Sequence, residues 1–345
     1  TKSGPEGLPA FPIQLAEDTK SIWFAELYGH KIGVLSKEDP SFIQEFPTPT
    51  NSSGPSGLFI REGQVWFTEA FAGKVGMVNL ASLVTLYFLG YLPPGAIMEF
   101  LPNERIYSPV GIYLDDRGMI WLTEHGASLI SGYKISDGSL FRFATTRNEN
   151  QVTTLPYWIR YDDSGNIWFN EHTGNRIAMF NLTDYKLTEY EVPTRNPELG
   201  YIANVLNLAV APDGRVWFTE WTEDKIGVLD PSIPMPFDIG SDVKEVNILQ
   251  GDSIRIPVSV RVTENFTEQL IPKVSSSITP TGKLLNMTAL FNPSVILPSA
   301  SFHTAELIID TEGSVKPGNY TITAGVTDGL VIKSIIINFN IKEKK

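Results

Sequence analysis

"IWFNEHTGNRIAMF", residues 167–180, places Glu171 beside His172 and sets Arg176 five residues past the glutamate. Taken alone it reads as a small chemical site. Four other stretches align with it: "IWFAELYGHKIGVL" (22–35), "VWFTEAFAGKVGMV" (65–78), "IWLTEHGASLISGY" (120–133) and "VWFTEWTEDKIGVL" (216–229). Their tryptophans, Trp23, Trp66, Trp121, Trp168 and Trp217, recur at intervals of 43, 55, 47 and 49 residues, the length of a propeller blade. The phrase is therefore one turn of an internal repeat.

Each unit reads alike. A Pro-containing lead enters a short apolar strand, as in "SPVGIYL", and a turn such as "DDRG", "DDSG" or "PDG" follows, with Asp and Gly supplying its geometry. The "IWFTE" strand, a polar turn, the "KIGVL" strand and an outer strand such as "LTEYEVP" complete the unit. Aromatic and β-branched runs without helical periodicity specify a four-stranded antiparallel blade, apolar on both faces because its neighbours sandwich it. Five units are recognisable, and residues 1–10 and 230–240 are expected to offer closing strands at most.

The 345 residues suffice for a large core and suggest two domains. At 42% hydrophobic and 19% charged residues the composition is that of a folded protein, and a net charge of −12 without a basic stripe argues against a nucleic-acid partner. The absence of cysteine excludes thiol nucleophiles, disulfides and thiolate metal sites. Five Asn-x-Ser/Thr sequons, at Asn51, Asn181, Asn265, Asn286 and Asn319, favour an extracellular or cell-surface glycoprotein. The chain begins at Thr1 with no signal-peptide pattern, as expected of a processed or trimmed protein, and its longest apolar run, Leu83–Ile97, is too short and too broken to span a bilayer.

The phrase W-F-T-E followed by K-I-G, preceded by a Pro-x-Gly-Ile strand and an Asp-Gly turn, resembles the streptogramin B lyases (virginiamycin B lyases) over residues 1 to about 235. The resemblance implies a β-propeller, of seven blades in that family, with a catalytic histidine in a Pro-His-Gly-Ile slot and Mg²⁺ held by carboxylates. The slot here holds Ser56, Val110 and Tyr157, and "ANVLNLAV" lacks even the proline. Without a general acid or base at that position, the family's elimination chemistry does not carry over.

What remains are Glu26, Glu69, Glu124, Glu171 and Glu220. Lys31, Lys74, Arg176 and Lys225 follow four of them by five residues, across a tight hairpin, where each pair is expected to brace two strands. A group needed once in catalysis does not recur in every blade, so repetition favours structure. Glu124 departs from the pattern: its plus-five position is Leu129, and His125 follows it as His172 follows Glu171. Glu124, His125, Glu171 and His172 are thus the candidate catalytic set. Glu124 and Glu171 are the carboxylates for Mg²⁺ or Ca²⁺, while the imidazoles would suit Zn²⁺; no cofactor beyond these is indicated. His30 and His303 lack such company.

The interval from Trp66 to Trp121 is long because of an apolar segment, 83–97, in which Leu86, Tyr87, Phe88, Leu89 and Tyr91 are costly if exposed and are expected to dock a protein or surface partner. After the Pro- and Gly-rich "DPSIPMPFDIGSD" the chain loses its tryptophans. Residues 237–345 read as an antiparallel sandwich, and "FNPSVILPSASFHTAELIIDTEGSVKPGNYTITAGVTDG" resembles the immunoglobulin-like modules of bacterial and archaeal surface proteins. The expected fold is all-β: a propeller over 1–236 and an immunoglobulin-like sandwich over 237–345. The expected function is binding and structural, with a metal-dependent lyase or hydrolase as the alternative.

Overall fold

The computed structural model describes residues 9–82, 93, 95–147, 153–200, 202–276, 287–297 and 301–344. It is all-β and made largely of four-stranded antiparallel sheets, the architecture of a β-propeller. The chain parts into two compact units, Thr1–Gly126 with Ser131–Phe141, and Ala127–Ile130 with Arg142–Lys345.

Three repeats begin in the first unit. The first blade is β1 (Pro12–Glu17), β2 (Ser21–Glu26), β3 (Lys31–Ser36) and β4 (Ile43–Pro47); the second is β5 (Pro55–Arg61), β6 (Gln64–Glu69), β7 (Lys74–Asn79) and β8 (Ile97–Phe100). The third comprises β9 (Pro109–Leu114), β10 (Met119–Glu124), β11 (Leu129–Lys134) and β12 (Ser139–Ala144). Strands pair in chain order, each with the next, as meanders do.

The second unit holds the fourth blade, β13 (Pro156–Tyr161), β14 (Asn166–Glu171), β15 (Arg176–Asn181) and β16 (Leu187–Glu191), and a fifth of three strands only, β17 (Val205–Val210), β18 (Val216–Glu220) and β19 (Lys225–Leu229). Residues 230–240 do not close the array, since β20 (Phe237–Gly240) joins a different sheet. That sheet runs β20, β22 (Ser253–Val262), β25 (Phe302–Thr311) and β24 (Met287–Asn292). The remaining strands are β21 (Glu245–Leu249), β23 (Ile271–Ser276), β26 (Gly318–Thr327) and β27 (Val331–Lys342); β27 pairs with β26, lies parallel to β21, and continues the fourth blade by pairing with β16.

Burial follows from the pattern of residues. In β22 the inward face is Ile256, Val258, Val260 and Val262, with Pro257, Ser259 and Arg261 between, as the two-residue period of a strand requires. These side chains share one core with Leu307 and Ile309 of β25 and with Ile335, Ile337 and Phe339 of β27. In the blades the cores lie between successive sheets: Trp23, Ala25, Ile32 and Val34 of the first pack on Leu58, Val65, Phe67 and Val78 of the second. No helix among the described residues is long and apolar enough to cross a membrane. The apolar residues Leu86, Tyr87, Phe88, Leu89 and Tyr91 lie outside the described residues.

Candidate functional site

Each letter of the repeat has a physical task. The tryptophan indole N–H closes the turn ahead of it, Trp23 and Trp121 donating at 3.1 Å and Trp168 at 2.7 Å to Asp18, Asp115 and Asp162. Asp162 also accepts the Ser164 and Asn166 backbone N–H groups at 2.9 Å. The phenylalanine sits opposite the glycine of K-I-G: Phe24 pairs with Gly33, Phe67 with Gly76 and Phe218 with Gly227. A Cβ on any of these three glycines would fall 2.0–2.2 Å from the ring as it stands, whereas the fourth blade sets Ala178 opposite Phe169. The residue after it reaches the next blade, as when Thr68 Oγ1 donates to Val110 O at 2.8 Å and Asn170 Nδ2 to Val205 O at 2.7 Å.

The glutamate ends the strand and tucks under the turn. A Cβ on Gly29 would lie 2.5 Å from Glu26 Oε2, and one on Gly174 2.3 Å from Glu171 Oε2. The fourth residue after each glutamate, His30, Gly73, Ser128, Asn175 or Asp224, takes positive φ, which bends the chain back so that position five faces the glutamate across the ladder. Glu26, Glu69, Glu171 and Glu220 pair in register with Lys31, Lys74, Arg176 and Lys225, as the spacing predicts.

The cations, however, bond elsewhere first. Lys31 Nζ meets Glu45 at 2.9 Å, Lys74 Nζ meets Glu99 at 2.7 Å, and Arg176 Nε meets Glu191 at 2.5 Å while its NH1 stands 3.6 Å from Glu171 and 3.8 Å from Glu189. Two carboxyls thus share one cation in the first two blades, Glu26 with Glu45 and Glu69 with Glu99, and in the fourth Glu171, Glu189 and Glu191 share Arg176. Sequence reasoning missed the outer-strand partner, whose signal is a recurring Glu before an aromatic in "QEF", "MEF" and "TEY". Two of the outer carboxylates are also tied to the chain: Glu99 accepts the Thr50 N–H at 2.6 Å and Glu189 the Thr146 N–H at 2.8 Å.

The charges follow from this sharing. Burial, reinforced by the Glu99 carboxylate, pushes Glu69 up to about 7. Glu99 is only partly buried, and hydrogen bonds from Lys74 and Thr50 outweigh that burial and hold it below the usual range. Glu26 is raised by burial and then by Glu45; Glu171 is raised well above the carboxylate range by burial and then by Glu189. Burial lowers Arg147 to about 10 against the pull of Glu171. At least one carboxyl of each group, Glu26, Glu69, and both Glu171 and Glu189, therefore holds its proton more tightly than a free glutamate.

Glu124 is the departure, and it is not left without partners. Ser131, which stands where K-I-G has glycine, donates its hydroxyl to Glu124 Oε1, and the Tyr107 N–H reaches Oε2 at 2.8 Å. The carboxylate is fully buried. His125 and His172 are half-buried, and the His172 ring lies 4.3 Å from that of Tyr157. Glu124 and His125 belong to one compact unit, Glu171 and His172 to the other. Among the described residues no group of three or more His, Asp or Glu is arranged to hold a metal ion.

In the inner-strand slot, Ser56 is buried, with its hydroxyl 2.9 Å from Thr68 Oγ1 and 3.1 Å from Pro109 O, and Val110 is buried too. His30 accepts the Gly54 N–H through Nδ1 at 3.3 Å, and His303 lies within β25 opposite Val260. Of the sequons, Asn51, Asn265 and Asn319 are exposed, Asn181 spends its amide on Asn166 at 2.8 Å, and Asn286 lies outside the described residues.

No family model and no curated protein matches the chain. Among solved structures it is similar to a catalytically inactive variant of virginiamycin B lyase from Staphylococcus aureus, solved with quinupristin: 27% identity, 65% of this chain, 68% of that one, TM-score 0.52. A streptogramin B lyase at 18% identity, covering 95% of this chain and 94% of that one with TM-score 0.51, shares the fold. So does selenomethionine-substituted virginiamycin B lyase from Staphylococcus aureus, at 17% identity, 95% of both chains and TM-score 0.50.

Proposed function

We propose that this chain is a secreted or cell-surface binding and structural protein. In this reading residues 1–236 form a propeller of streptogramin B lyase type, and residues 237–345 form an immunoglobulin-like sandwich that acts as a stalk. The observation that carries it is the fate of the W-F-x-E glutamates. In three blades they are buried as part of a carboxyl cluster around a lysine or arginine, and Glu124 is buried beneath Ser131 and Tyr107. Buried at the ends of their strands, these carboxylates are withdrawn from the solvent through which a substrate or metal would reach them.

The exposed sequons Asn51, Asn265 and Asn319 support an extracellular location, and the apolar run of 83–97 supports a protein or surface partner. Deleting residues 84–93 tests the docking role: loss of surface association is expected, and unchanged association would remove it.

A second reading is favoured by the 27% identity with a lyase. It makes Glu124, His125, Glu171 and His172 a relocated metal-dependent site for a lyase or hydrolase. Incubating the protein with Mg²⁺ and a cyclic depsipeptide separates the two. We expect no shift in chromatographic retention; conversion to a linear product of equal mass would establish the lyase instead.

A further inference from the structure

Position by position, the fifth blade turns to solvent what the others bury. The tryptophan is buried in the first four blades, yet Trp217 is 41% exposed. The isoleucine of K-I-G, buried as Ile32, Val75, Ile130 and Ile177, is 72% exposed as Ile226, and Val228 is 49% exposed where Val34 and Met77 are buried. On the first, second and fourth blades this face packs against the inner strands of the next blade. Trp23 and Ile32 pack on Leu58, Val65 and Phe67, just as Trp168 and Ile177 pack on Leu208, Val216 and Phe218.

A polar contact repeats with the apolar one. Thr68 accepts the Gly57 N–H at 2.7 Å and donates its own hydroxyl hydrogen bond to Val110 O in the following blade. Thr219 accepts the equivalent Asn207 N–H at 3.1 Å, is exposed, and retains a hydroxyl proton for a carbonyl of the same kind. The complementary face stands uncovered on the first blade. Leu15, paired with Phe24 as Leu58 is paired with Phe67, is 65% exposed where Leu58 is buried, and Ile22 and Leu35 are only half-buried. The carbonyl that corresponds to Val110 O is that of Ile13, since Pro12 pairs with Glu26 as Pro109 does with Glu124.

We infer that the fifth-blade face of one copy of this chain docks on the first-blade face of a second copy. Both halves of a blade-to-blade interface are present on every copy, and the interface they form already exists within the chain between blades one and two and between blades four and five. The contact is heterologous, head to tail, so it extends beyond a pair unless the ring closes. It is independent of the proposed binding role and of the segment 83–97.

Sedimentation velocity of the full chain over a wide concentration range tests this, together with Leu15→Asp and Ile226→Asp. Both residues are exposed, so both variants are expected to keep the wild-type far-ultraviolet circular dichroism. The mass of the wild type is expected to rise with concentration, while each variant alone self-associates at least tenfold more weakly. An equimolar mixture of the two variants is expected to form a heterodimer that stops there, because Leu15→Asp retains the fifth-blade face and Ile226→Asp the first. A wild-type monomer at every concentration would overturn the inference, whether the faces are then closed within one chain or by another blade. A mixture that stays monomeric would overturn it too, as would association lost in Ile226→Asp but intact in Leu15→Asp.

Discussion

Phe24 lies directly over Gly33, the residue opposite it across the β2–β3 ladder, so closely that a β-carbon on Gly33 would fall 2.0 Å from the end of the ring. Phe67 and Gly76 repeat the contact at the same distance. In these two blades the glycine makes room for the ring, while the fourth blade accommodates Ala178 opposite Phe169. Gly76→Ala is expected to lower stability by about 1–3 kcal/mol, the usual effect of overfilling a packed core, and urea unfolding measures it. Alanine at Gly63, where nothing lies within 4 Å of the added carbon but φ is +74°, provides a control for backbone strain without crowding.

Glu69 makes stability depend on pH in an uncommon direction. Its folded value of about 7 lies above its ordinary 4.5, so between these pH values the folded chain binds the proton more tightly than the unfolded chain. The stabilisation is complete below pH 4.5 and is lost as pH rises to 7. Glu26, Glu171 and Glu189, also raised, act with the same sign. Melting temperature is expected to fall from pH 5 to pH 8, and Glu69→Gln to flatten the fall, by on the order of 1–3 kcal/mol at pH 8. A melting series in both proteins decides it.

Arg176 holds the most buried charge cluster. Its guanidinium is fully buried, bonds Glu191, donates to Thr146 O at 2.6 Å, and faces Glu171 and Glu189. Arg176→Met would leave buried carboxylates without their cation, and a loss of about 3–5 kcal/mol is expected. Because the side chain spans several acceptors with a planar fork, Arg176→Lys should recover only part of it. Chemical denaturation of both variants supplies the comparison.

Much of this was legible in the sequence. The W-F-x-E period gave the blades, and the spacing of Glu171 and Arg176 gave the register of β14 and β15, because a two-residue period and a tight turn leave few alternatives. The outer-strand partners Glu45, Glu99 and Glu189 escaped, since a cation five residues from one carboxylate looks already paired. The distances show that it prefers the strand on its other side. Glu124 looked unpartnered because Leu129 replaces the cation, whereas its actual donors are a hydroxyl at plus seven and a backbone N–H, which carry no spacing signature. The missing fourth strand of the last blade was likewise invisible, because "DPSIPMPFDIG" supplies strand-forming residues and only long-range pairing assigns β20 to another sheet.

Under the proposed function the repeated glutamates brace the blade turns and serve no metal ion. Calorimetric titration of Mg²⁺ into the wild type and into Glu124→Gln tests it most directly, with the unfolding free energy of each measured alongside. The account predicts no saturable binding to either protein and a stability loss of about 1–3 kcal/mol in the variant, where the charge that accepts the Ser131 and Tyr107 hydrogen bonds is gone. Stoichiometric Mg²⁺ binding to the wild type, abolished in Glu124→Gln without loss of stability, would contradict it.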